Sequence, residues 1–176
     1  MRNYFYVLLT FFSIQACEEP VAKGSGNDTQ RSGALFQQLN TASTHVDFKN
    51  ELAYDADFNI YTYRNFYNGG GVAVGDFNND GLPDLFFSAN MLSNKLYLNK
   101  GNFEFEDITE NAGINNKKDW STGVTVADVN GDGWLDIYVC NSGDRKGAKR
   151  ENELYINNGD LTFTEMAQEY GLDNKG

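Results

Sequence analysis

Apolar residues in this chain fall into short runs that break off at Gly, Asn and Asp. Val72-Ala73-Val74 and Leu85-Phe86-Phe87 flank one polar turn, and Val124-Thr125-Val126 and Ile137-Tyr138-Val139 flank another. Leu96-Tyr97-Leu98 and Leu154-Tyr155-Ile156 come next, followed by Phe103 and Phe105 in one case and Leu161 and Phe163 in the other. Short runs rich in β-branched and aromatic residues, bounded by turn formers, read as strands. From Leu35 to Phe66 the apolar residues show no clean period, and Ile60-Tyr61-Thr62-Tyr63 is the strand candidate there. No stretch approaches the ~20 apolar residues of a membrane-spanning helix.

The two sets of strands are copies. Gly71-Val72-Ala73-Val74-Gly75-Asp76 aligns with Gly123-Val124-Thr125-Val126-Ala127-Asp128, 52 positions on. Asn94-Lys95-Leu96-Tyr97-Leu98-Asn99-Lys100-Gly101 aligns with Asn152-Glu153-Leu154-Tyr155-Ile156-Asn157-Asn158-Gly159, 58 positions on, and Gly113-Ile114 aligns with Gly171-Leu172. The six-residue difference lies between Asn141 and Asn152, where Arg145, Lys146, Lys149 and Arg150 gather in an inserted loop. Each copy, about 69–114 and about 121–172, holds four short strands with turns between, the cadence of a propeller blade. The expected fold is therefore all-β, a partial β-propeller of four-stranded blades.

The turn after the first strand of each copy carries the chemistry. In Asp76-Phe-Asn-Asn-Asp-Gly-Leu-Pro-Asp84, side-chain oxygens stand at positions one, three, five and nine: Asp76, Asn78, Asp80 and Asp84. Asp128, Asn130, Asp132 and Asp136 repeat them in the second turn. Gly81 and Gly133 occupy position six, where a sharp turn needs positive φ. Three carboxylates in one turn repel each other unless a cation sits among them, and Ca²⁺ takes six to eight oxygen ligands in flexible geometry. The backbone carbonyls of Leu82 and Trp134, at position seven, would complete each set. Two calcium sites are expected. They are not EF-hands, because position twelve is Phe87 or Val139 in place of a bidentate Glu, and the flanks are strands. An acidic turn without metal is the alternative, since Asp, Asn and Gly favour turns in any case.

The 176 residues suffice for one domain with a core, and 18 Gly with only 2 Pro suit a strand-and-turn protein. The net charge of -11 disfavours nucleic acid and anionic membrane surfaces as partners. At the N-terminus Arg2 precedes an apolar run from Tyr4 to Ile14 and then Gln15-Ala16-Cys17, the order of a secretory signal. A Cys directly after the small residue resembles a bacterial lipoprotein signal, which implies lipid on Cys17 after removal of residues 1–16. Loss of Arg2 with no acidic residue would take the net charge from -11 to -12. Residues 17–34 read as a flexible tether, and 35–176 as the propeller portion. Glu18-Glu19 resembles the acidic tether of lipoproteins exposed on Gram-negative outer membranes. Contact with the membrane is thus expected through the lipid anchor alone.

Together the paired Asp-x-Asn-x-Asp-Gly-x-x-Asp turns, the Asn-x-Leu-Tyr-Leu/Ile-Asn-x-Gly strands and Gly69-Gly70-Gly71-Val72 resemble FG-GAP/VCBS repeats. These are the calcium-binding blades of integrin-α-type β-propellers, and the closer likeness is to bacterial surface lipoproteins of the cartilage acidic protein (ASPIC/UnbV) type. The resemblance implies roughly seven blades, of which this chain offers two, so it reads as the front part of a longer protein or a truncated product. The usual catalytic sets are missing: there is one His, His45, no Gly-x-Ser-x-Gly, and Cys140 alone after lipidation of Cys17. His45 reads as structural and Cys140 as a buried free thiol. The expectation is a non-catalytic, calcium-stabilised surface adhesion module for a polysaccharide or protein ligand. Two rivals stand beside it: the propeller portion of a longer secreted hydrolase or lyase-type enzyme, and a two-repeat chain that assembles into a ring.

Overall fold

The computed structural model describes residues 35–114, 120–142 and 150–175. The predicted signal, the tether, Cys17, and Arg145, Lys146 and Lys149 of the inserted loop lie outside these residues. Residues from Gln38 onward form one compact unit. Of the preceding unit only Leu35–Gln37 are described; they have no regular structure and are exposed.

Eight strands follow one short helix, α1 (Thr41–Thr44): β1 (Val72–Gly75), β2 (Asp84–Phe87), β3 (Lys95–Asn99), β4 (Phe105–Asp107), β5 (Ser121–Ala127), β6 (Asp136–Asn141), β7 (Glu153–Asn157) and β8 (Phe163–Glu165). They form two four-stranded antiparallel sheets, β1-β2-β3-β4 and β5-β6-β7-β8, each in sequence order. Two such meanders are consistent with part of a propeller-like fold. The registers are equivalent: Val74 pairs with Leu85 and Leu85 with Tyr97, as Val126 pairs with Ile137 and Ile137 with Tyr155.

Period-two alternation explains how the sheets stack. Ala73, Phe86, Leu96 and Leu98 share one face of the first sheet, and Val124, Val126, Ile137, Val139, Tyr155 and Phe163 meet them from the second. Ala112 O accepts from Phe163 N at 2.9 Å and Ala89 O from Ser121 N at 3.2 Å, so the sheets are also stitched through their backbones. Ser88 Oγ donates to Thr122 O across the same boundary. Gly70 is required here by space, since a Cβ there would lie 2.0 Å from Ser88 O.

Two strand expectations need correction. Ile60-Tyr61-Thr62-Tyr63 is a turn, because polar side chains capture the local backbone. Asn59 Oδ1 accepts from Tyr61 N at 2.9 Å, Thr62 Oγ1 accepts from Asn59 N at 3.0 Å, and Tyr63 N donates to Asn59 O at 2.8 Å. Of its residues only Tyr63 joins a separate cluster, in which Phe58, Phe66 and Trp120 are buried with Tyr63 and Met91 packed alongside, while Ile60 and Tyr61 are exposed. The fourth strands begin at Phe105 and Phe163; Phe103 and Leu161 lie in the preceding turns with φ of 61° and 66°.

Candidate functional site

Each acidic turn joins the first two strands of its sheet. Gly81 and Gly133 adopt φ of 85° and 90°, as the sharp turn requires. The side chains then fold over the backbone in the same way twice. Asp76 Oδ1 accepts from Asp80 N at 3.1 Å and its Oδ2 from Gly81 N at 2.8 Å. Asp128 Oδ1 accepts from Asp132 N at 3.1 Å and Gly131 N at 2.7 Å, and its Oδ2 from Gly133 N at 2.9 Å. Asp80 accepts from Leu82 N and from Asn78 Nδ2, as Asp132 does from Trp134 N and Asn130 Nδ2.

The position-nine carboxylates play a different part. Asp84 and Asp136 are buried at the base of the turns. Asp84 accepts from Phe77 N at 2.9 Å and from Asn99 N at 2.8 Å, and Asp136 accepts from Val129 N and Asn157 N, both at 2.9 Å. Each therefore clamps the start of its turn to the third strand of its sheet. Burial pushes the Asp84 carboxyl above the usual carboxylate range against the donations from Asn99 and Phe77, and the charges of Asp80 and Asp76 add to the rise. At the exposed turn, hydrogen bonds from Gly133, Gly131 and Asp132 hold the Asp128 carboxyl below that range.

Sequence reasoning missed Asn99 and Asn157, which complete the clamps. Asn99 Nδ2 donates to Pro83 O at 2.8 Å, and its Oδ1 accepts from Gly101 N at 2.9 Å. Asn157 repeats both contacts on Leu135 O and Gly159 N and adds a bond to Phe77 O of the first sheet's turn, at 2.8 Å. Asn79 Nδ2 also donates to Gly133 O at 3.1 Å, so the two turns stand side by side. The signal was present in the sequence, as an Asn at matching positions with a Gly two residues later.

The donor chemistry suits calcium: every candidate ligand is an oxygen, and those that accept one N–H keep a second lone pair, whereas Asp128 Oδ1 already accepts two. Among the described residues no Lys or Arg pairs with any of the six turn carboxylates. No group of three or more His, Cys, Asp or Glu side chains converges as a metal cluster among them either. The turns thus bring the ligand types together, while their carboxylates face N–H groups. Of the other singled-out residues, His45 ends α1 with φ of 58° and lies 3.7 Å from Glu104, both exposed. Cys140 is free and half-buried, less enclosed than expected.

The likeness to known proteins centres on these turns. Residues 76–139 match the FG-GAP-like repeat. That match runs from the first acidic residue of one turn, through β2 to β5, to the strand leaving the other turn. Cartilage acidic protein 1 of Xenopus tropicalis is 35% identical over 104 residues, 58% of this chain but 16% of that protein's length. Both likenesses cover part of the chain, and an FG-GAP-like repeat suggests a β-propeller-type module.

Proposed function

We propose that this part of the protein is a calcium-stabilised, non-catalytic binding module of the propeller type, serving adhesion at the cell surface. It presents loops to a polysaccharide or protein ligand and is held to an outer membrane by lipid on Cys17. One observation carries the calcium reading: the same clamp, a buried Asp tied to a strand Asn, lies beneath the same oxygen-rich turn in both sheets. Asp76, Asn78, Asp80, Asp84 and the Leu82 carbonyl would hold one ion, and Asp128, Asn130, Asp132, Asp136 and the Trp134 carbonyl the other. Bound calcium would offset the mutual repulsion of each trio of carboxylates and so stabilise the two hairpins.

A ligand that binds only the folded state adds about 2.7 kcal/mol at a hundredfold excess over its Kd. Melting curves with millimolar calcium and with chelator test the proposal. A clear fall in Tm on chelation is expected, with poor rescue by Mg²⁺, which demands tighter octahedral geometry. Coincident curves would mean that the N–H donors alone hold the turns.

A further inference from the structure

The loop from Tyr54 to Asn68 divides its aromatic residues between two jobs. Phe58, Tyr63 and Phe66 pack on Trp120, with Phe58 and Tyr63 meeting it edge-on at 5.1 Å and 5.4 Å. Tyr54, Tyr61 and Tyr67 remain 75%, 96% and 64% exposed. Together with Asn59 and Ile60 they line a hollow of about 260 Å³. Three exposed tyrosine rings gathered round one hollow make a candidate ligand site, and three features of this one define the ligand.

The loop is preorganised. Asp55 accepts from Asp57 N at 2.9 Å and Phe58 N at 2.7 Å, and Asn59 Nδ2 donates to Asp55 O at 2.8 Å. With the three anchors on Trp120 and the Asn59–Thr62 and Asn59–Tyr63 bonds, little backbone freedom remains to be lost on binding. The hollow is also uncharged: none of its five lining residues is ionic, on a chain of net charge -11. An acidic ligand would be repelled by the chain and find no cation in the hollow to compensate, whereas a neutral one meets no such penalty. Finally, the hollow is amphipathic and small. Tyrosine offers an apolar ring with a hydroxyl at its tip, and the volume is below the ~300–1,000 Å³ of drug-sized pockets. It suits a single ring that is apolar on its faces and hydroxylated at its edge.

We propose that Tyr54, Tyr61 and Tyr67 form a subsite for one neutral pyranose unit of a glycan. The inference rests on reading the chain as a binding module and names the ligand class of that module. Calorimetric titration of the full chain in calcium uses maltohexaose, cellohexaose and xylohexaose, with polygalacturonate as the anionic control. Saturable binding of a neutral hexasaccharide is expected, weakened about tenfold in Tyr54→Ala or Tyr61→Ala at unchanged Tm; Tyr67 also packs edge-on against the buried Phe66 at 5.1 Å, so it is left in place. No binding of any neutral sugar by the folded chain, binding of polygalacturonate alone, or binding that survives both substitutions would overturn the proposal. The calcium reading is scored separately, by the fall of Tm in chelator, so the two failures are distinguishable.

Discussion

Tyr138 and Phe86 occupy the same position in the two repeats, and one hydroxyl separates them. In the second repeat Tyr138 Oη accepts from Asn152 Nδ2 at 2.9 Å and donates to Leu172 O at 3.0 Å. In the first, Asn94 takes the place of Asn152, and its Oδ1 accepts from Ala89 N at 2.9 Å, as Asn152 Oδ1 does from Asn141 N at 2.8 Å. That bond fixes which way the amide points. Its Nδ2 is then left buried with no partner among the described residues, because Phe86 has no hydroxyl to offer. An orphaned buried donor costs about 1–3 kcal/mol, and a net hydrogen bond returns about 1 kcal/mol. Phe86→Tyr therefore supplies the missing partner, but it also inserts an oxygen into a fully enclosed site, where overpacking costs about 1–3 kcal/mol. A double-mutant cycle with Asn94→Ala cancels the packing cost and leaves the pairing. Urea denaturation at saturating calcium should give a favourable coupling of about 1 kcal/mol or more between the introduced hydroxyl and Asn94. The reciprocal change, Tyr138→Phe, breaks two bonds and should cost about 1–2 kcal/mol. A coupling inside the ~0.3–0.5 kcal/mol scatter of independent sites would refute the reasoning.

Other substitutions probe the clamp, the glycines and the anchor. Asn157→Ala should destabilise by about 1 kcal/mol more than Asn99→Ala in the same denaturation assay, because it alone also breaks the bond to Phe77 O. Gly70→Ala should be worse than Gly81→Ala, as the first drives a Cβ into the Ser88 carbonyl while the second meets open space and costs only the ~1–2 kcal/mol of a left-handed backbone. Equal losses of Tm would contradict this. Cys17→Ser should move the protein out of the membrane fraction, or leave its signal uncut, while the melting curve stays the same. Wild-type protein that is wholly soluble with an unmodified Cys17 would remove the lipid anchor from the account.

The strands were legible where sequence pattern and environment agree. Val72-Ala73-Val74 and Ile137-Tyr138-Val139 are mostly β-branched or aromatic, alternate between two faces, and adjoin turns rich in Asp, Asn and Gly. The offsets of 52 and 58 placed both sheets, because a repeated pattern repeats its registers. Ile60-Tyr61-Thr62-Tyr63 misled because β propensity reflects a pleated surface to pack on. There Asn59 and Thr62 supply competing local hydrogen bonds instead. At the site, the Asp and Gly positions of the turns were readable as a spacing, and Asn99 and Asn157 as a repeated Asn-x-Gly whose role was not. Their role depends on the third strand passing beneath the turn, a tertiary relation that local spacing does not encode. The Asn94–Phe86 mismatch is hidden for the same reason, since it turns on the direction in which a buried amide points.

Calcium stoichiometry tests the central claim most directly. Titration calorimetry of the chelator-stripped chain with Ca²⁺ should show two ions bound, at affinities of roughly 10⁻⁴ to 10⁻³ M or tighter, the range of calcium sites in extracellular modules. Asp80→Ala should abolish one site and leave that of Asp128, Asn130, Asp132 and Asp136. No heat at millimolar calcium from a folded chain would contradict the account and reduce both turns to hydrogen-bonded acidic hairpins.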